Sequence, residues 1–223
     1  MLLHIPDVLL PSELEAMRRV LDQSAFVDGK LTAGRAAERV KHNTELDREQ
    51  PQRDALAQIV VTALYRSETF RTAALPLKLG TPIFARYTPG MTYGWHVDDP
   101  VMGQGPHYRT DVSFTLFLSE PAEYDGGELV VRTSFGEKQV KLKAGDAVIY
   151  PSGTLHQVAA VTRGVRLVSI GWIQSMVRDP AQREILFGLS GARNKLLADN
   201  AGAPETDAVD HAYINLVRMW SEV

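Results

Sequence analysis

Two stretches decide how this chain is read: Tyr93-Gly94-Trp95-His96-Val97-Asp98, and Gly145-Asp146-Ala147-Val148-Ile149-Tyr150-Pro151-Ser152-Gly153-Thr154-Leu155-His156. In an extended strand residues i and i+2 share a face, so His96 and Asp98 project together. The turn at Gly145-Asp146, a short apolar run and the turn at Pro151–Gly153 deliver His156 at the start of a new strand. Two imidazoles and one carboxylate are the ligand set of the 2-His-1-carboxylate triad, which holds iron on one face and leaves other positions open. Only a closed β fold returns His156 to His96 and Asp98, so the metal reading carries a fold with it. Gly94 reads as a residue that keeps side-chain bulk away from the metal.

Outward from these motifs the texture is that of short strands. Runs at Ile83–Tyr87, Thr110–Leu118, Glu128–Thr133, Glu137–Leu142, Asp146–Tyr150, His156–Val161 and Val165–Ile173 alternate or are β-branched, with Gly and Pro clusters between them. This spacing predicts a β-sandwich or barrel. Before it, residues 2–10 read as a strand leading to a helix capped by Ser12, with Glu15 completing a capping box. Residues 24–50 read as a loop region with short strands. A second helix is expected from about Pro51 to Arg66, with Leu56, Ile59, Val60 and Leu64 on one face. After Asp179-Pro180 helical spacing returns and runs to about Trp220. The expected division is a helical and mixed region at 1–77, a β domain at 78–177 and a helical extension at 178–223.

The chain has 223 residues, 44% of them hydrophobic, enough for one sizeable core. A net charge of −3 gives no basic surface for nucleic acid or membrane. There is no cysteine, which removes disulfides, thiolate metal sites and thiol nucleophiles together. The first residues lack a basic segment and are broken by Pro6 and Pro11, so no signal peptide is expected, and no apolar run reaches membrane-spanning length. A cytoplasmic protein is expected.

The segment after His156 adds a parity argument. Thr162-Arg163-Gly164 reads as a three-residue hairpin loop with Gly at its left-handed position. That loop sets Ala160 opposite Arg166 and puts Arg166 on the face of His156, where its planar donors would fork onto a carboxylate below the metal. A dicarboxylate such as 2-oxoglutarate would then chelate iron at one end and meet Arg166 at the other.

Residues 86–98, Asp125-Gly126-Gly127-Glu128-Leu129, 145–156 and Arg166 together resemble the Fe(II)/2-oxoglutarate-dependent dioxygenases of the prolyl 4-hydroxylase type. They are more closely similar to the bacterial PKHD-type hydroxylases associated with iron uptake. The strongest resemblance covers about residues 78–177. It implies a double-stranded β-helix (jelly-roll) core within a mainly β fold with flanking helices (α+β). It implies that His96, Asp98 and His156 ligate Fe(II), that Arg166 binds the distal carboxylate of 2-oxoglutarate and that Tyr87 hydrogen-bonds the same group. Tyr93 would lie nearer the substrate. Arg166 stands where prolyl hydroxylases commonly carry lysine. The implied reaction uses O2, hydroxylates an unactivated C–H bond of a peptide, amino-acid derivative or siderophore-related molecule, and releases succinate and CO2; ascorbate enters as a candidate reductant. Asp98 argues against a halogenase, in which that carboxylate is missing.

Two other readings compete. A metal cupin matches the glycine-to-His156 motif but not His-x-Asp, and leaves Arg166 without a role. A non-catalytic sensor of iron, oxygen or 2-oxoglutarate would keep the same ligands without turnover. The loop from Asp99 to Arg109 is expected to form part of a lid over the substrate. His4, His42, His107 and His211 read as structural or surface residues, Trp95 and Trp172 as packing or substrate contacts, Asp125–Gly127 as a turn, and the apolar C-terminal helix as core or a homo-oligomer interface.

Overall fold

The computed structural model describes residues 1–32, 34, 37–103 and 105–223. The chain begins with β1 (Leu3–Ile5), α1 (Pro11–Asp22), β2 (Phe26–Asp28), β3 (Lys41–His42) and β4 (Thr44–Leu46). Two helices follow, α2 (Arg53–Arg66) and α3 (Glu68–Ala74), then β5 (Pro76–Leu79), β6 (Ile83–Tyr87) and β7 (Thr92–His96). The next strands are β8 (Val101–Met102), β9 (Tyr108–Arg109), β10 (Val112–Phe117), β11 (Tyr124–Gly126), β12 (Leu129–Thr133) and β13 (Gly136–Val140). The β region ends with β14 (Ala147–Pro151), β15 (His156–Val158), β16 (Val161–Gly164) and β17 (Arg166–Ser175), before α4 (Pro180–Asn200) and α5 (Pro204–Trp220).

A large antiparallel sheet runs β1-β14-β10-β17-β6-β4-β2, with β5 also on β17; a smaller one runs β13-β12-β15-β7-β3. Period-two alternation gives the large sheet two different faces. Val112, Phe114 and Leu116 of β10, with Ile149 and Leu167, meet Met17 and Leu21 of α1, Leu56, Val60 and Leu64 of α2 and Phe70 of α3. The alternate residues Phe117, Val148, Tyr150 and Val168 turn inward and meet Leu129, Val131 and Val158 of the smaller sheet. Each such large apolar side chain contributes about 1.5–3 kcal/mol by leaving water. The sheets therefore close on each other as a double-stranded β-helix, with helices covering the outer face of the large sheet. At the far end Leu75, Val177 and Leu186 form a third cluster with Tyr213, Leu216 and Trp220. Among the described residues no helix is long and apolar enough to cross a membrane.

Three local expectations need correction. Ser12 does not cap α1. Leu10 stands at the N-cap and Pro11 at the first helical position, while the Glu13 carboxylate accepts the Leu10 N–H at 2.8 Å. Proline suits that position because its fixed φ is helical and its missing N–H has no partner there anyway. Gly94 is small for packing, since a Cβ there would meet Val40 Cβ at 3.0 Å. Most consequentially, Thr162–Gly164 is not a hairpin loop. These residues belong to β16, which pairs with β11 in the register Tyr124↔Gly164 and Asp125↔Arg163. β15 lies in the smaller sheet and β17 in the larger, so the chain crosses between sheets instead of folding back. Gly164 still takes a positive φ of 72°, and a Cβ there would collide with the Glu123 carbonyl, so the position requires glycine.

Candidate metal centre

β7 and β15 are neighbours, and their register sets His96 directly opposite His156. Each imidazole is oriented by the same local device: Nδ1 lies 2.7 Å from the Gly94 carbonyl in His96 and 2.8 Å from the Thr154 carbonyl in His156, in both cases two residues upstream. An Nδ1–H donating to each carbonyl leaves the Nε2 lone pair free to bind a metal. Asp98 Oδ1 sits 3.9 Å from His96 Nε2 and 3.8 Å from His156 Nε2. One ligand atom from each of the three residues falls within 4.8 Å of the others, an arrangement that could hold a metal ion. Burial first, and the facing His156 second, push His96 down to about 4, which keeps its ring neutral as a ligand must be. Tyr93 stacks on His96 with centroids 3.6 Å apart, and Tyr150 meets His156 edge-on at 5.0 Å.

His96, Asp98, His156, Tyr87, Tyr93 and Arg166 all line one cavity of about 70 Å3. Arg166 enters it by strand parity within β17, where Arg166, Val168 and Ile170 point inward, and by pairing beside Tyr87 of β6. The guanidinium lies 5.0 Å from the Tyr87 ring and 5.6 Å from the Phe117 ring. It is 1% exposed, has no carboxylate within ion-pair distance among the described residues, and its Nε and Nη1 lack hydrogen-bond partners. A buried cation in that state costs several kcal/mol until an anion joins it. Burial raises the Tyr87 phenol to about 12, so it remains a neutral donor.

Asp125–Gly127 is not the expected turn: Asp125 and Gly126 lie in β11, paired with β16. A Cβ on Gly126 would strike the Ala160 carbonyl at 2.1 Å, and one on Gly127 would press the Arg166 side chain at 3.0 Å. The glycines thus let the β11–β16 ribbon close over Arg166. Trp95 stacks with Arg132 at 4.4 Å, a packing role, whereas Trp172 lines the cavity. His4 is structural, meeting Asp146 at 2.7 Å.

Sequence reasoning missed several neighbours of the centre. Ser113 donates to Asp98 Oδ2 at 2.5 Å and lies 2.8 Å from Ser152 Oγ. Lys41 lines the cavity and is paired with Glu45 at 2.5 Å. A serine in an alternating strand and a lysine in a polar segment carry no local signal of either role. A second, open groove of about 670 Å3 shares Asp99, Met102 and Trp172 with the cavity. The described residues of the expected lid include β8 and β9, which pair with each other and contribute to this groove; Gln104 of that loop lies outside the described residues.

Comparison with known proteins agrees with this geometry. Residues 82–174 match the family model of the 2OG-Fe(II) oxygenase superfamily. A PKHD-type hydroxylase of Thioalkalivibrio sulfidiphilus is 54% identical over the full length of both chains, and one of Gloeothece citriformis is 46% identical over the full length of both. A solved prolyl-4-hydroxylase of Pseudomonas putida shares the fold, with TM-score 0.52 and 22% identity over 78% of this chain and 92% of that one. The chain is thus a double-stranded β-helix oxygenase with a His-Asp-His cluster in its cavity. It belongs to the PKHD-type hydroxylases of the 2OG-Fe(II) oxygenase superfamily: a dioxygenase that uses Fe(II), 2-oxoglutarate and O2 to hydroxylate its substrate, releasing succinate and CO2.

Proposed function

We propose that His96, Asp98 and His156 hold Fe(II), and that Arg166 with Tyr87 binds the distal carboxylate of 2-oxoglutarate, in a hydroxylase acting on a small molecule or peptide. The observation that carries this reading is Arg166, buried without a carboxylate partner in the same cavity as the three ligand side chains. The donor set fits the metal: two imidazole nitrogens and one carboxylate oxygen suit Fe(II), and no thiolate is present to select a softer ion.

The metal, loaded with 2-oxoglutarate, supplies oxygen activation and C–H oxidation. The protein's share is positioning and exclusion of water. Gly94 and Thr154 hold the two rings with Nε2 inward. Arg166 neutralises and orients the cosubstrate's far carboxylate, with the Tyr87 hydroxyl as a second donor. Tyr93 and Tyr150 wall the rings off from solvent. The small cavity suits the cosubstrate, and the adjoining groove, within the usual range for ligand sites, suits the substrate. In this reading residues 78–177 form the catalytic unit, with 1–77 packed on it and 178–223 as a helical extension. We place the enzyme in the cytoplasm, with ascorbate as an accessory reductant and the helical flanks as the surface for any self-association.

The test is succinate formation from 2-oxoglutarate with Fe(II) and O2, together with a search of cell extract for molecules that gain one oxygen. Both are expected with the unaltered protein and lost in His96→Ala. Equal succinate formation by His96→Ala would sink the assignment, and tight 2-oxoglutarate binding with no succinate would point to a sensor.

A further inference from the structure

Asp98 receives one hydrogen bond from the described side chains, and it comes from Ser113. Ser113 has a single hydroxyl hydrogen, which the 2.5 Å contact assigns to Asp98 Oδ2. Its 2.8 Å contact with Ser152 must therefore be a bond donated by Ser152 to Ser113 Oγ. Both serines are 2% exposed, so each relies on the partners packed around it rather than on bulk solvent. The direction of the chain is thus Ser152 to Ser113 to Asp98.

The two serines come from different segments. Ser113 lies on the inward face of β10, paired across the sheet with Tyr150. Ser152 stands just beyond β14, and its N–H donates to the Asp111 carbonyl. Two residues later Thr154 supplies the carbonyl that orients His156. The turn that sets His156 is therefore tied through two hydroxyls to the carboxylate that faces it. With Oδ2 engaged, Oδ1 is the oxygen turned towards both Nε2 atoms.

We propose that Ser113 and Ser152 are positioning residues of the metal centre, a hydroxyl relay that fixes the Asp98 carboxylate and couples it to the segment carrying His156. This inference rests on the reading of His96, Asp98 and His156 as metal ligands. Outer-shell groups that orient a ligand commonly account for about 10–100-fold in metal affinity. Neither alanine variant adds bulk, and both remove only a buried oxygen.

The experiment is calorimetric titration of the metal-free protein with Mn(II), a probe that avoids oxidation, alongside its melting temperature with and without Mn(II). Ser113→Ala should weaken Mn(II) binding about 10–100-fold and shrink the Mn(II)-induced rise in melting temperature. Ser152→Ala should weaken it less. Because the two act in series, the double variant should be no worse than Ser113→Ala, the non-additivity expected of groups in one network. Ser113→Thr, which keeps the hydroxyl, should restore affinity. Unchanged affinity in Ser113→Ala, or equal and additive losses from the two serines, overturns the relay. If Ser113→Ala does not fold, unchanged affinity in Ser152→Ala overturns it instead. Failure of the unaltered protein to bind Mn(II), or binding untouched by His96→Ala, defeats the ligand assignment rather than the relay.

Discussion

Two buried cations line the same cavity and are treated in opposite ways. Lys41, 5% exposed, has Glu45 at 2.5 Å, itself 2% exposed. Arg166, 1% exposed, lies over two aromatic rings with no carboxylate beside it among the described residues. The first charge is balanced within the fold. On the proposed reading the second is left for a ligand to balance, which would separate a structural ion pair from a binding residue in one small volume. A cosubstrate with two carboxylates would then be held end to end, at the His96, Asp98 and His156 cluster and at the arginine.

The largest effect should come from the metal end, with both cations left in place. His96→Ala should lower succinate formation by more than about a hundredfold, since the orienting groups around a ligand already account for 10–100-fold; a coupled succinate assay reads this directly. Arg166→Met is expected to raise the KM for 2-oxoglutarate about 30-fold or more, the consequence of losing a buried charge partner worth roughly 2–5 kcal/mol. The same variant should hold or raise the melting temperature of the ligand-free protein, because it removes an unbalanced charge. A large fall in that temperature would mean that Arg166 is structural, and the comparison would break.

Lys41→Met should do the reverse. It removes the cation 2.5 Å from the buried Glu45 carboxylate and should destabilise the protein in urea unfolding at neutral pH, by up to about 3–5 kcal/mol. Adding Glu45→Met should recover much of that loss, and failure to do so would show that the pair acts through something other than charge balance. Smallest of all should be Asp125→Ala. Its ion pair with Arg163, at 2.6 Å, joins two side chains more than half exposed and screened by solvent, so a loss barely resolvable in urea unfolding is expected. A larger loss would mean that closure of the β11–β16 ribbon over Arg166 depends on this pair.

The metal end was legible because it is built from local rules. His96 closes β7 and Asp98 follows two residues beyond the strand, the spacing of turns brings a new strand to His156, and both imidazoles are oriented by carbonyls of their own segments. The arginine end was legible only in part. Arg166 faces the cavity, as expected, but not because of a hairpin: parity within β17 and the crossover through β16 place it there. The error has a physical source. A glycine with positive φ is required both by a tight hairpin and by a strand squeezed against another backbone, and the residue pattern is the same in the two cases. Likewise α1 opens on Pro11 and not on a Ser12 cap; a hydroxyl looks like a cap wherever it stands near a helix start.

The sequence by itself determined which residues are candidate ligands, the β core with helical flanks, and the resemblance that names the chemistry. These depend on side-chain identity and short-range periodicity, which any stretch of the chain carries within itself. Only the tertiary structure decided that Lys41 has a carboxylate and Arg166 has none, that Ser113 and Ser152 meet behind Asp98, and that an open groove adjoins the cavity. Those facts depend on the register between strands distant in the chain. A shift of one residue would turn every inward side chain outward, and no local pattern of residues encodes which strand lies next to which.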